Sequence, residues 1–219
     1  MRLGVLISGR GSNLQALIEA CADPSYPAEI ALVVSDRPEA AGLTRAASAR
    51  IPAVTVPDPS RSEFAAAADA QLRAARVELV CLAGFMRLLD TALVGAWRDQ
   101  MVNIHPSLLP AFPGLRAQRQ ALAAGVRFAG CTVHFVRPEV DTGPIIAQAV
   151  VPVHPKDDEE RLSMRILAAE HRLYPLAVRL IAEGRTRITD GKVEIDGWQA
   201  PEFAALNPSP SDPLVRGRG

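Results

Sequence analysis

Residues 3–7 form an unbroken apolar run ending at Ser8, the pattern of a strand buried on both faces. Residues 12–22 then place Leu14, Leu17 and Ile18 at helical spacing. The alternation repeats: residues 30–34 read as a strand, 38–49 as an Ala-rich helix, 54–56 as a short strand and 61–76 as a long amphipathic helix. Residues 77–83 are a third strong apolar run, 88–97 a helix, and 101–105 a strand stopped by Pro106. Repeated strand-then-helix units predict a parallel sheet with helices on both faces.

Beyond a short helix at 118–124 the pattern changes. Residues 131–136 and 145–151 are strands, and the connection between them is short enough for an antiparallel pair. Residues 157–182 read as one long helix whose acidic start, Asp157-Asp158-Glu159-Glu160, suits its positive end. Residues 187–189 and 193–195 flank Asp190-Gly191 and predict a hairpin at the sheet edge. From Pro201 onward Pro, Ser and Gly dominate, so one domain over 1–200 and a mobile tail over 201–219 are expected. The fold class is α/β: a Rossmann-like open twisted sheet, mostly parallel, with antiparallel strands in the C-terminal part and helices on both faces.

Among 219 residues, 24 Lys and Arg balance 24 Asp and Glu. A neutral chain has no overall pull on nucleic acid or anionic membrane, so only a local basic site could take an anion. No apolar stretch approaches the roughly 20 residues that span a bilayer. The opening residues resemble a short signal core but run straight into Gly9-Arg10-Gly11, which favours a buried first strand. Cys21, Cys81 and Cys131 are too far apart for a disulfide framework or a metal knuckle, and Cys81 and Cys131 sit in apolar runs. A cytoplasmic setting is expected. The histidines lack metal-ligand spacing, so no metal is expected, and Ser8, Ser12 and Ser107 are not in a nucleophile elbow.

Chemistry concentrates in two places. The first is the loop Ser8-Gly9-Arg10-Gly11-Ser12-Asn13-Leu14-Gln15, between a strand and a helix. Its glycines permit unusual backbone angles. Ser12 reads as an N-cap, with Gln15 completing a capping box. Free N–H groups at the helix start favour a phosphate, and Arg10 adds charge. It is neither a Walker loop nor a full dinucleotide fingerprint, because Leu14 stands where the last glycine belongs. Asp36 could hold a ribose, although closing a turn in Asp36-Arg37-Pro38 is the plainer reading.

The second place is the end of strand 101–105, where Asn103 and His105 face one side. Ligands of open α/β sheets bind at such carboxyl ends. An amide and an imidazole together can stabilise an oxyanion and move a proton. Asp141, in a later loop, could orient the imidazole. Spacing alone favours a plainer reading, a capping Asn and a structural His. His134 reads as a core or site-wall histidine, His154 as exposed, and Glu170 and His171 as a solvated helix face.

Four segments occur in order: Ile7-Ser8-Gly9-Arg10-Gly11-Ser12-Asn13-Leu14-Gln15, Leu82-Ala83-Gly84-Phe85-Met86-Arg87, Asn103-Ile104-His105-Pro106-Ser107-Leu108-Leu109-Pro110 and Asp141-Thr142-Gly143-Pro144-Ile145-Ile146. The set resembles the phosphoribosylglycinamide formyltransferase family, folate-dependent enzymes of purine synthesis. The resemblance runs from Met1 to the hairpin near Ile195. It implies formyl transfer from N10-formyltetrahydrofolate to the amine of glycinamide ribonucleotide, with no metal, in a monomer or homodimer. By resemblance, Gly11, Ser12 and Asn13 bind the phosphate, Glu170 faces the glycinamide amine, and Asn103, His105 and Asp141 are catalytic. Met86, Arg87, Leu88, Leu89, Arg61, Val140 and Asp141 match the folate pocket. Where some members carry histidines, this chain has Arg116-Ala117-Gln118-Arg119.

Methionyl-tRNA formyltransferase shares donor and core but is expected to add a C-terminal RNA-binding domain. Formyltetrahydrofolate hydrolase is expected to add an N-terminal regulatory domain. A non-enzymatic nucleotide-binding module would account for the glycine loop but not for Asn103, His105 and Asp141 together.

Overall fold

The structure, a computed structural model, describes residues 1–57, 60–200, 202 and 205–207. Seven strands form one sheet: β1 (Arg2–Ile7), β2 (Glu29–Ser35), β3 (Ala53–Thr55), β4 (Leu79–Leu82), β5 (Met101–His105), β6 (Phe128–Phe135) and β7 (Ile145–Pro152). Their order is β3-β2-β1-β4-β5-β6-β7. The first five run parallel, and β6 and β7 are antiparallel to their neighbours. Between β1 and β4 the order reverses, which opens a crevice at the carboxyl ends of those strands. The glycine loop leaves β1 there, beside the segment that follows β4.

The helices are α1 (Ser12–Cys21), α2 (Ala41–Ser48), α3 (Arg61–Ala74), α4 (Thr91–Ala96), α5 (Ala117–Ala123) and α6 (Glu159–Ala182). Alternation along β1 explains how both sheet faces are covered. Leu3, Val5 and Ile7 join a core with Leu14 and Leu17 of α1 and Leu162, Ile166 and Val178 of α6. Leu6 joins a second core with Phe64 and Leu72 of α3 and Leu93 of α4. Cys81 and Cys131 are fully buried core thiols, and burial pushes each up to about 12. Among the described residues no helix is long and apolar enough to cross a membrane.

The structure corrects several expectations. Ser12 is not the N-cap of α1 and Gln15 forms no capping box. Gly11 takes the cap position in the left-handed region (φ 68°, ψ 30°), turning the chain one residue earlier. The Gln15 amide instead donates to Glu19, one turn along. The helix expected over 88–97 is only α4, because Asp90 caps it by accepting from the Ala92 N–H at 2.8 Å. α2 starts at Ala41 rather than 38, since Pro38 and Glu39 form a turn in which the Ala40 N–H donates to the Arg37 carbonyl at 3.3 Å, and Ala40 itself is extended. Ser35, not Asp36, closes the turn after β2: its Oγ accepts from the Arg37 N–H at 3.1 Å. Strands β8 (Thr186–Thr189) and β9 (Lys192–Ile195) form a two-stranded sheet of their own. They do not extend the main sheet; Arg185 closes the open end of the hairpin by donating to the Asp196 carbonyl at 2.7 Å. Most of 201–219 lies outside the described residues, so the expected tail is not described.

Tyr174 of α6 ties the site's two strands from below. Its ring is fully buried and its hydroxyl donates to the Leu82 carbonyl at 3.0 Å and the Val102 carbonyl at 3.3 Å. Tyr174→Phe leaves both carbonyls short of a donor and is expected to lower unfolding free energy by about 1–2 kcal/mol in urea titrations. An unchanged midpoint would show that the bridge contributes nothing.

Candidate active site

β5 ends with Asn103 and His105 on one face, both opening into a cavity of about 440 Å³. That size suits a drug-sized ligand. The antiparallel register places His134 of β6 directly opposite Asn103, and Thr132 opposite His105. Asp141 reaches in from the loop between β6 and β7, with its own backbone left-handed (φ 56°).

These side chains form one polar cluster. His105 Nδ1 lies 3.3 Å from Asp141 Oδ2, and His105 Nε2 lies 2.9 Å from the Phe112 carbonyl. Both neighbours are acceptors, so the doubly protonated ring is the form that satisfies them. The Gly114 N–H donates to the same Asp141 oxygen at 2.8 Å. His134 Nδ1 donates to the Phe135 carbonyl at 3.0 Å. Its Nε2 sits 3.2 Å from Asn103 Nδ2 and 3.6 Å from Asp141 Oδ1. A neutral His134 ring accepts from Asn103; a charged one turns its proton to Asp141. Burial raises the Asp141 carboxyl, but the contact with His134, the Gly114 N–H and the charge of both imidazoles outweigh it, leaving it below the ordinary carboxylate range.

Of the residues matched to a folate pocket, Arg61, Met86, Arg87, Leu88, Leu89, Val140 and Asp141 all line this cavity. Met86, Leu88 and Val140 expose 67%, 56% and 49% of their surface, an apolar wall that a ring system could cover. Arg87 is held by the Ser60 carbonyl at 2.7 Å and stacks over Phe64. Phe64 in turn stacks on Phe85. Arg116 and Gln118 also line the cavity.

Gly11, Ser12, Asn13 and Glu170 form a second group. Ser8 joins the two groups, its Oγ accepting from the Met86 N–H at 2.9 Å. No side chain caps α1 and its first turn holds no acid, so its leading N–H groups face outward for an anion. Glu170 is not on a solvated face: it is buried against α1, where Asn13 Nδ2 donates to its Oε2 at 2.8 Å. Asn13 Oδ1 is buried with no partner among the described residues, an acceptor that a substrate N–H or O–H could satisfy. His171 sits beside the same face, its Nε2 also buried without a partner among those residues. His134 is the buried site-wall histidine that the sequence suggests, but its contacts with Asn103 and Asp141 were not read there. Its alternation with Thr132 was the available signal, but strand register was needed to read it.

Burial pushes the Glu170 carboxyl up to about 7, against the opposing hydrogen bond from Asn13. The folded chain therefore keeps a proton that the unfolded chain releases near its ordinary value of 4.5. Its stabilising contribution is complete below that value and falls as pH rises to about 7. Comparing wild type with Glu170→Gln by chemical unfolding across this window, the stability difference is expected to move by about 3 kcal/mol against wild type. Parallel pH curves would contradict the buried-carboxyl assignment.

A family model described as formyl transferase matches residues 1–178. The chain is 39% identical over 209 residues to phosphoribosylglycinamide formyltransferase of Haemophilus influenzae, covering 94% of this chain and 99% of that one. It is 52% identical over 191 residues to the trifunctional purine biosynthetic protein adenosine-3 of Drosophila pseudoobscura pseudoobscura, covering 85% of this chain but spanning only 14% of that protein. The solved structure of glycinamide ribonucleotide transformylase 1 from Symbiobacterium toebii is similar at TM-score 0.87 and 54% identity, over 89% of this chain and 93% of that chain. The chain belongs to the phosphoribosylglycinamide formyltransferase family.

Proposed function

We propose that this chain transfers the formyl group of N10-formyltetrahydrofolate to the amine of glycinamide ribonucleotide, giving formylglycinamide ribonucleotide and tetrahydrofolate. The observation that carries the reading is the meeting of Asn103, His105 and Asp141 at the wall of one cavity, beside an uncapped helix start. The apolar wall of Met86, Leu88, Leu89 and Val140 takes the folate rings, with Arg61 and Arg87 toward its acidic end. The N–H groups of Gly11, Ser12 and Asn13 take the phosphate, and Glu170 faces the amine.

A neutral amine attacks the formyl carbon, and negative charge gathers on the formyl oxygen. Asn103 Nδ2 and an N–H of His105 donate to that oxygen. His105 Nε2 donates to the Phe112 carbonyl at 2.9 Å, and this hydrogen bond passes from that carbonyl to the oxyanion while the proton stays on His105. Asp141 keeps the imidazolium paired while the amine's proton passes toward the leaving folate nitrogen. The geometry also favours this reading over a plain nucleotide-binding module, which has no use for a carboxylate in the cavity wall flanked by two imidazoles.

The test is an assay of tetrahydrofolate release with glycinamide ribonucleotide present or omitted. Release is expected only with the amine present. His105→Ala is expected to lose about 10²–10³-fold in turnover, with formyl-folate binding retained. Release without the amine would point to a hydrolase, and near-normal turnover in the variant would remove His105 from the mechanism.

A further inference from the structure

The glycine loop is backed by α2. A Cβ on Gly42 would lie 2.5 Å from Ile7 Cδ1 and 3.3 Å from Gly11 Cα, so helix and loop meet backbone to backbone. Across this contact, two groups of α2 donate to consecutive loop carbonyls. The Gly42 N–H donates to the Gly9 carbonyl at 3.0 Å. Arg45 Nε donates to the Arg10 carbonyl at 2.9 Å. Arg45 Nη1 also donates to Gln15 Oε1 at 3.3 Å, joining α2 to α1.

A peptide unit is planar and trans, so a carbonyl and the N–H of the next residue point in opposite directions. Pinning the Gly9 and Arg10 carbonyls toward α2 therefore turns the N–H groups of Arg10 and Gly11 away from it, side by side. Among the described residues neither N–H has a hydrogen-bond partner. Successive N–H groups aimed to one side make a concavity suited to an anion. They adjoin the open first turn of α1.

We propose that Arg45 is a positioning residue for the phosphate of the amine substrate. Its guanidinium holds the Arg10–Gly11 peptide so that the Gly11 N–H points at a phosphate monoester, and the Gly42 N–H does the same one residue earlier. The charge of Arg45 acts through the loop, not by contact with the phosphate. This inference rests on reading the loop as the site of the ribonucleotide phosphate.

Arg45→Met and Arg45→Lys are compared with wild type, using glycinamide ribonucleotide and its dephosphorylated riboside as amines. With the ribonucleotide, Arg45→Met is expected to raise KM about tenfold or more, leaving kcat and the KM for formyl-folate close to wild type. Arg45→Lys regains part of this, because an ammonium can still donate to the Arg10 carbonyl. With the riboside, Arg45→Met and wild type are expected to match. Equal losses of kcat/KM on both amines would show a general structural tie and overturn the proposal, as would an unchanged KM. Calorimetric titration with inorganic phosphate separates this from the functional reading. Weaker phosphate binding by Arg45→Met upholds the proposal even if wild type fails to formylate the ribonucleotide, and equal binding overturns it.

Discussion

One partly buried carboxylate, Asp141, organises the polar centre of this molecule. Asp141 accepts from the Gly114 N–H, faces His105 with one oxygen and His134 with the other, and sits in left-handed backbone to do so. A charge half withdrawn from water in a cavity wall is stabilised by being paired and hydrogen-bonded. Here the pairing reaches into two other elements. His105 ends β5 and His134 stands opposite Asn103 on β6, so the carboxylate, two imidazoles and a carboxamide share one set of contacts. The loop before α5 is drawn in as well, through the Phe112 carbonyl and the Gly114 N–H.

The crevice at the strand-order reversal is divided by chemistry. One side is a cavity with an exposed apolar wall and the polar cluster at its base. The other is a helix start whose leading N–H groups, like the Asn13 amide oxygen, lack partners among the described residues, beside a buried carboxyl on α6. A ring-bearing donor and a phosphate-bearing acceptor fit these two halves respectively. Ser8, at the end of β1, binds the segment that walls the first half and opens the loop that builds the second.

Much of the framework can be read from periodicity. Residues 3–7, and 79–82 within the run 77–83, are strands buried from both faces, and the two-residue spacing of Asn103 and His105 puts both in the cavity. What could not be read depends on contacts between elements. His134 joins the cluster through an antiparallel register that no local pattern encodes. Glu170 looks like a solvated residue of an amphipathic helix until α1 covers it. The cap of α1 was misplaced because Ser12 has the right side chain for the position, while the backbone freedom of Gly11 decides it. The support that Arg45 gives the glycine loop joins α2 to the Arg10 carbonyl, 35 residues away in the chain. The residues matched to a folate pocket were legible only through the family resemblance, since exposed Met86 and Leu88 carry no local signature.

The claim that Asp141 and His105 act as one unit is tested most directly by a double-mutant cycle on the formyl-transfer rate, using His105→Ala, Asp141→Asn and the pair. The account predicts strong non-additivity, with the double variant losing little more than His105→Ala alone. Losses that simply multiply would mean that the two residues work independently, contrary to the geometry described.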